Sequence, residues 1–126
     1  MKEPVWIHFQ AALAIHDALL AEFGGASGIR DESLLESALA RPRNLWSYEK
    51  PTIFRLAAAY THGIVKNHPF VDGNKRTGYV IGGIFPERNG YQLKASEKEA
   101  TAAIMALASN TITEKDFALW LRENCK

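Results

Sequence analysis

Apolar side chains recur every three or four residues over most of the chain, which is the spacing of an amphipathic α-helix. A first helix is predicted over residues 8–23, where five positions share this spacing: Phe9, Leu13, His16, Leu20 and Phe23. Two glycines at 24–25 end the pattern, as glycines after a helix often do. Because His16 lies on or beside the apolar stripe, we expect it to be a core or boundary residue.

A second helix is predicted to begin at residues 31–33, where aspartate, glutamate and serine suit the unpaired N–H groups of a helix start. Pro42 is expected to close this helix because proline cannot donate within it. The next residues, 43–50, read "RNLWSYEK" and mix two aromatic side chains with polar ones. We predict a loop or a short extended flap there.

Pro51 is predicted to be the first residue of a third helix, "PTIFRLAAAYTHGIVKN". This segment is apolar almost all round, which indicates a central helix. A fourth helix is expected to begin at Gly73 or Asn74 and to kink or end at Pro86. Together with Pro86, the neighbouring Gly82 and Gly83 leave open whether the fourth helix is weakened.

Residues 87–96 read as a turn with a short extended piece, and two further helices are predicted after it, "EKEATAAIMALASN" and "TITEKDFALWLRENCK". Thr113 and Asp116 have the spacing of a capping box at the start of the last one. The pattern therefore predicts an all-α fold, a compact bundle of about six helices. Residues 1–126 are predicted to form a single domain, with a charged loop between two central helices.

Charge and cysteine content narrow the function classes. Fifteen basic against fourteen acidic side chains leave a net charge of +1, so no global field attracts nucleic acid or anionic lipid. The single cysteine, Cys125, excludes an internal disulfide framework and cysteine-based zinc sites, and we expect a thiol on a frayed terminus. No apolar run reaches the roughly 18 to 20 residues of a membrane span, so a cytoplasmic location is expected.

The segment "HPFVDGNKRTGYV", residues 68–80, concentrates hydrogen-bonding and charged groups between two apolar helical segments. His68 has an unperturbed pKa near neutrality, so it is a candidate general base for a hydroxyl. Asp72 offers a hard carboxylate oxygen of the kind that Mg²⁺ prefers when phosphates also hold the ion. Phe70, between them, can insert into the core and anchor the loop.

The glycine-containing turn before the fourth helix is typical of an anion site. Gly73 and Asn74 place consecutive backbone N–H groups at the positive end of a helix dipole. Lys75 and Arg76 then lie in the first helical turn, which is unfavourable for cations unless an anion compensates. These residues therefore predict a polyphosphate site. The alternative is a solvated helix start with incidental basic residues.

The motif "HPFVDGNKRTG" resembles the active-site motif of the Fic/Doc family, and it is most similar to the form found in Doc-like toxins. Likeness extends to "GGASGIRDESLLESALARP" and to "ERNGY", so it covers nearly the whole chain. The resemblance implies a Fic/Doc-like fold. It also implies that the protein uses ATP as a substrate and Mg²⁺ as a cofactor.

The resemblance also implies a role for each motif residue. His68 is implied to be the base that deprotonates a target hydroxyl, Phe70 to anchor the loop, and Asp72 to bind Mg²⁺. The phosphates are implied to lie against the remaining four positions, Gly73, Asn74, Lys75 and Arg76.

Two departures from the Fic form of the motif bear on the reaction. Fic enzymes that transfer AMP carry glycine at the position of Lys75 and a second arginine at the position of Tyr79, and this chain has neither. Doc toxins share the lysine and phosphorylate a threonine of elongation factor Tu, which stops translation. By resemblance, transfer of the γ-phosphate of ATP to a Ser/Thr hydroxyl of elongation factor Tu is predicted.

A partner is implied as well. The chain lacks the Ser/Thr-x-x-x-Glu-Gly/Asn sequence with which many Fic proteins inhibit themselves, so restraint is expected from another chain. Doc-like toxins are held by a Phd-like antitoxin whose tail folds as a helix in a groove beside the active site. Four aromatic side chains are candidates either for this groove or for the core: Trp46, Tyr48, Tyr60 and Trp120.

Two rival functions share the same residues. The nearest is AMP transfer at the same site. The other is a non-catalytic module that binds a nucleotide or a phosphopeptide without turnover. No partner role for nucleic acid or membrane is predicted.

Overall fold

A computed structural model describes residues 2–126, in which the regular structure is helical. Its six α-helices, in chain order, are α1 Phe9–Phe23, α2 Glu32–Glu49, α3 Ile53–Asn67, α4 Asn74–Arg88, α5 Glu97–Ala108 and α6 Glu114–Glu123. Two isolated antiparallel bridges join extended segments, Ile29 with Phe70 and Leu93 with Cys125. The predicted all-α fold of about six helices is confirmed.

Helix α3 is the central element, as its nearly uninterrupted apolar sequence predicts. Ten of its residues are buried, and it packs against α2, α4 and α6. The helix begins after Thr52, whose hydroxyl accepts a hydrogen bond from the Arg55 N–H at 3.2 Å. Because α3 precedes the 68–73 loop and α4 follows it, the loop is held between two packed helices.

Close packing of α4 against α3 explains one of the two neighbouring glycines in α4. Thr61 of α3 donates a hydrogen bond from its hydroxyl to the Gly78 carbonyl at 2.8 Å. A Cβ at Gly82 would collide with that same hydroxyl, whereas one at Gly83 would meet only the Leu93 side chain at 3.3 Å. The two glycines therefore differ, since Gly82 permits the α3–α4 contact and Gly83 does not determine it.

An aromatic cluster ties the extended N-terminal segment to α3 and α4. Trp6 stacks on Phe85 with ring centroids 5.8 Å apart, and the Ile7 N–H donates to the Tyr60 hydroxyl at 2.9 Å. Burial raises the pKa of Tyr60 to about 12. Of the four aromatic candidates for a partner groove, Tyr60 and Trp46 are core residues, Trp120 is half-buried, and only Tyr48 is largely exposed.

The predicted loop or flap over 43–50 is wrong, because α2 continues through Pro42 to Glu49. Apolar burial outweighs the cost of the proline. Pro42 and Trp46 continue the buried stripe begun by Leu35 and Leu39. The Trp46 ring packs edge-on against the Trp6 ring, with ring centroids 6.5 Å apart.

Two further helix boundaries, the start of α3 and the end of α4, differ from those predicted from the positions of prolines. Pro51 precedes the cap of α3 instead of starting the helix, because the Thr52 hydroxyl takes the capping position. Pro86 lies inside the last turn of α4, which ends two residues later at Arg88. The Asn89 side chain donates to the Phe85 carbonyl at 2.8 Å and so helps to satisfy this helix end.

The chain end is paired, so the expectation of a frayed terminus at Cys125 is wrong. Gln92 and Lys126 exchange two backbone hydrogen bonds of 2.8 and 2.9 Å, and the Lys94 N–H donates to the Asn124 carbonyl at 2.6 Å. Burial raises the pKa of the Cys125 thiol. The predicted short extended piece after α4 is the partner in this pairing.

The predicted capping box of α6 is confirmed. The Thr113 hydroxyl accepts from the Asp116 N–H at 3.1 Å, while the Asp116 carboxylate accepts from the Thr113 N–H at 3.0 Å. Ser96 and Glu99 form a second box at the start of α5. Across residues 2–126, none of the helices combines the length and the apolar character that a bilayer crossing requires.

Candidate functional site

His68 is the C-cap of α3 and begins the loop that leads to α4. Its backbone is left-handed, with φ 54° and ψ 53°, which is uncommon for a residue other than glycine. The His68 N–H donates to the Ile64 carbonyl at 3.0 Å. The Arg30 guanidinium donates to the His68 carbonyl at 2.7 Å and to the Asn67 carbonyl at 2.9 Å. The His68 backbone is therefore fixed at both its N–H and its carbonyl group, although its ring lies exposed.

An extended segment before α2 supports the loop from outside. The N–H groups of Arg30 and Asp31 both donate to the Pro69 carbonyl, at 2.7 and 3.0 Å. The Val71 N–H donates to the Gly28 carbonyl at 3.1 Å. The loop thus runs along a second piece of backbone, which restricts the path of residues 69–71.

Phe70 anchors the loop from inside, as predicted from its place in the motif. Its side chain is fully buried. The Asn74 side chain accepts from the Phe70 N–H at 2.9 Å and donates to the Phe70 carbonyl at 2.9 Å. Asn74 is itself only 4% exposed. Both ends of its side-chain amide are therefore satisfied within the protein, by bonds that close the loop.

Asp72 presents an ionised carboxylate at the surface of the loop. One oxygen accepts from the Ala26 N–H at 3.2 Å and the other from the Gly73 N–H at 2.8 Å. These two hydrogen bonds, the Ala26 bond above all, lower the pKa of Asp72. A Cβ at Gly25 would lie 2.8 Å from the carboxylate, so the glycine lets the loop after α1 approach it.

The start of α4 has the features of an anion site. Gly73 takes the N-cap position with φ 79°, a left-handed conformation that glycine adopts without strain. Helix geometry leaves the N–H groups of residues 74–76 outside the intrahelical pattern, and no described side chain caps them. The first regular bond is from the Thr77 N–H to the Gly73 carbonyl at 2.9 Å.

Lys75 and Arg76 lie in this first turn, as predicted, and both are exposed. The Arg76 guanidinium carbon lies 4.0 Å above the centroid of the Phe23 ring at the end of α1. This cation–π contact directs Arg76 along the edge of the site.

A cleft of about 660 Å³ opens in front of the loop. His68, Asp72 and the start of α4 line its polar side. Its other side is mainly apolar and is formed by the end of α1 and by α5, including Leu19, Phe23, Ala100, Ile104 and Met105. The volume lies in the range typical of small-ligand pockets.

Asp72 fits a cation that brings most of its own ligands. Among residues 2–126 no group of three or more acidic, histidine or cysteine side chains is arranged to hold a metal. A lone ionised carboxylate suits Mg²⁺, which keeps several waters and is often held by one carboxylate together with substrate phosphates. Any Mg²⁺ at Asp72 would therefore take most of its ligands from water or from substrate phosphates.

Sequence similarity to known proteins extends over this site. The sequence profile of the Fic/DOC family matches residues 6–85, which is more than half of the chain and includes the whole loop. The chain belongs to the Fic/Doc family. Among curated Fic/Doc relatives, "Protein kinase doc" of Escherichia phage P1 is 32% identical over 111 residues, 87% of each chain. "Toxin Doc" of Mycolicibacterium smegmatis (strain ATCC 700084 / mc(2)155) is 40% identical over 75 residues, 58% of each chain.

The structure brings the site residues predicted from the family motif together in one loop and one helix start. Six of the seven line the cleft: His68, Asp72, Gly73, Asn74, Lys75 and Arg76. Phe70 is the exception and lies in the core. The side chain of Asn74 is occupied by Phe70, so only its backbone N–H remains to meet a phosphate.

Three supporting features of this Fic/Doc site were not predicted. His16 lies under the loop, Arg30 holds the end of α3, and α5 forms the far wall of the cleft. His16 was expected in the core or at its boundary, and it is buried, but its contact with the loop carries no sequence signal. Arg30 had a signal only in its place within the family-like segment "GIRDESLLESALARP".

Proposed function

We propose that this chain is a Doc-like toxin that transfers the γ-phosphate of ATP to a Ser/Thr hydroxyl of a protein. The observation that carries the proposal is one cleft lined by His68, by the ionised Asp72 and by the uncapped start of α4. Phosphoryl transfer requires mostly positioning and charge neutralisation, and these groups can supply both. The name of the phage P1 relative, a protein kinase, supports the same reaction class.

The start of α4 would hold the phosphates. Three backbone N–H groups point from the first turn at the positive end of the helix dipole. The side chains of Lys75 and Arg76 add two positive charges beside them. Placing two cations at a helix N-terminus is unfavourable in the free protein, and a bound polyphosphate would remove that repulsion.

Asp72 would hold the Mg²⁺ that accompanies the nucleotide. When bound, the ion would neutralise the charge that develops on the phosphate oxygens. The lowered pKa of Asp72 supports this role, because the carboxylate stays ionised well below neutral pH. Its hydrogen bonds with Ala26 and Gly73 keep both oxygens in place before the ion arrives.

His68 would act as the general base. The hydroxyl oxygen of the target attacks the γ-phosphorus, the bond between that phosphorus and the bridging oxygen breaks, and ADP leaves. The hydroxyl proton passes to a nitrogen of the His68 ring. An exposed ring on a rigid backbone suits this task, since the target protein must approach from solvent.

Lys75 and Tyr79 favour kinase over AMP-transferase chemistry. Fic enzymes that transfer AMP have glycine and arginine at these positions. In this chain Lys75 lies in the cleft, and the Tyr79 ring is half-buried with its centroid 6.4 Å from that of Trp120. A long lysine in the phosphate site favours a nucleotide placed with its γ-phosphate, not its α-phosphate, toward the hydroxyl.

Resemblance to Doc-like toxins supplies the proposed partners. The target would be a threonine or serine of elongation factor Tu, whose modification would arrest translation. A Phd-like antitoxin would restrain the toxin. Such a toxin would act in the cytoplasm, where its target is found.

The test is transfer to purified elongation factor Tu in the presence of Mg²⁺, with ATP labelled at either the α- or the γ-phosphate. We expect γ-label on the target and its loss in His68→Ala. The control is His8→Ala, since His8 is an exposed histidine at the start of α1, away from the cleft. Label from the α-phosphate would make the chain an AMP-transferase. Nucleotide binding without transfer to any protein would indicate a binding module.

A further inference from the structure

His16 of α1 lies directly beneath the loop that carries Asp72. Only 3% of the residue is exposed. Its ring stacks on the Phe70 ring with centroids 3.8 Å apart and planes 7° from parallel. The His16 Nε2 atom lies 2.8 Å from the Asp72 carbonyl oxygen. One buried ring therefore contacts both the anchor of the loop and the backbone of its carboxylate residue.

The hydrogen bond assigns the tautomer of His16. A carbonyl oxygen only accepts, so the Nε2 atom must carry the proton. A neutral ring with its proton on Nδ1 would place two acceptors 2.8 Å apart.

The acceptor belongs to the same peptide unit as the Gly73 N–H. The Asp72 carbonyl and the Gly73 N–H lie in one plane because the peptide bond is rigid. That N–H donates to the Asp72 carboxylate at 2.8 Å. Whatever fixes the carbonyl end of this plane therefore also fixes the N–H that orients the carboxylate.

We propose that His16 is a positioning residue that sets the Asp72–Gly73 peptide plane and thereby the orientation of the Asp72 carboxylate. The positioning role itself does not depend on the proposed function. Only its consequence does, namely that the oriented Asp72 carboxylate receives Mg²⁺ with the nucleotide. Groups that orient a metal ligand from behind change metal affinity or activity by about 10- to 100-fold when replaced.

Two substitutions separate the ring from its hydrogen bond. His16→Phe keeps an aromatic ring to stack on Phe70 but cannot donate to Asp72. His16→Gln keeps an N–H donor at a similar reach but loses the ring. His8→Gln is the control, because His8 precedes the same helix, is exposed and lies away from the cleft. The thermal midpoint of each variant reports whether its fold is retained.

The first readout needs no nucleotide. Amide hydrogen exchange at Gly73 is expected to accelerate about 2- to 10-fold in His16→Phe, because the peptide plane has lost one hydrogen bond. Exchange at the α3 core, for example at Ile64, should stay at the wild-type rate. His16→Gln should exchange at Gly73 more slowly than His16→Phe.

The second readout is the Mg²⁺ concentration that gives half-maximal ATP binding, measured by calorimetry. We expect it to rise about 10- to 100-fold in His16→Phe and to recover toward wild type in His16→Gln. Unchanged Gly73 exchange and unchanged Mg²⁺ dependence in His16→Phe would overturn the inference, as would a Gln variant no better than Phe.

The two proposals fail in different ways. Faster Gly73 exchange in His16→Phe, in a protein whose wild type binds no ATP, would uphold the positioning role and refute the kinase. If neither variant folds, the nitrogen chemical shifts of His16 in the wild-type protein decide the matter. A proton on Nδ1 alone, with Nε2 bare, would contradict the hydrogen bond to Asp72 and overturn the proposal.

Discussion

Asn74 and Phe70 close the loop between α3 and α4 through two hydrogen bonds, both 2.9 Å long, between one side-chain amide and one residue's backbone. Asn74 is the first residue of α4 and Phe70 is the loop residue inserted in the core. Helix start and loop anchor are therefore one unit, and the residues between them, including Asp72, have little freedom.

Asn74→Ala should therefore destabilise the fold. The change leaves the Phe70 N–H and carbonyl without partners in a buried position, and each unpaired buried group costs about 1–3 kcal/mol. Urea unfolding should show a loss in the free energy of unfolding within that range or above it. Asn44→Ala, on the exposed face of α2, is the control and should stay within about 0.5 kcal/mol of wild type. Equal stabilities of the two variants would show that the Asn74 bonds do not hold the loop.

Gly82 and Gly83 should respond in opposite ways to alanine. Alanine improves helix propensity by about 1 kcal/mol at either position. At Gly82 the new methyl group collides with the Thr61 hydroxyl, so we expect a net loss of about 1–3 kcal/mol in stability. At Gly83 it meets only the end of the flexible Leu93 side chain, so stability should be unchanged or higher.

Thermal or urea unfolding of the two variants side by side is the measurement. If Gly82→Ala stabilises the protein as much as Gly83→Ala, both glycines lower the stability of α4. The close α3–α4 contact then does not require glycine at position 82.

Arg30→Lys should slow transfer without unfolding the protein. Lysine keeps the charge near the end of α3 but cannot bind the Asn67 and His68 carbonyls as a planar fork. Because displacing His68, the proposed general base, would slow the proposed transfer steeply, we expect kcat to fall about 10-fold. ATP affinity should change little, since Arg30 does not line the cleft.

Arg122→Lys provides the matched control, because Arg122 is exposed in the last turn of α6. Rates and ATP affinities come from the labelled-phosphate assay and from calorimetry. An unchanged kcat in Arg30→Lys would mean that the helix end holds His68 without the guanidinium.

Asp72 should contribute to acid sensitivity. Hydrogen bonds from Ala26 and Gly73 hold the pKa of Asp72 below the ordinary value of about 3.9. A folded pKa below the unfolded one gives stability that is present above about pH 4 and is lost as the pH falls through the folded pKa. Asp72→Asn should therefore flatten the stability curve in this acid range and leave its slope near pH 7 unchanged.

Urea unfolding at a series of pH values from about 2 to 7 measures this slope. Asp116→Asn serves as a comparison, because hydrogen bonds with Thr113 lower the pKa of that carboxyl too. Identical slopes for wild type and Asp72→Asn would show that the carboxylate gains nothing from its two backbone donors.

Helix identity and the chemical content of the site were determined by the sequence alone. Periodicity, caps and turn residues act over three or four positions, so they predicted the helices, the capping box of α6 and the glycine-containing turn before α4. The charged loop was also recognisable, because its groups are neighbours along the chain.

Tertiary structure decided what supports those groups. His16 and Asp72 are 56 positions apart, and Arg30 and His68 are 38 apart, so no local pattern records either contact. Packing also carried α2 past Pro42, because burying Trp46 against Trp6 outweighed the local preference of proline. The sequence identified the candidate groups of the site, whereas the packing of distant segments decided which neighbours hold them in place.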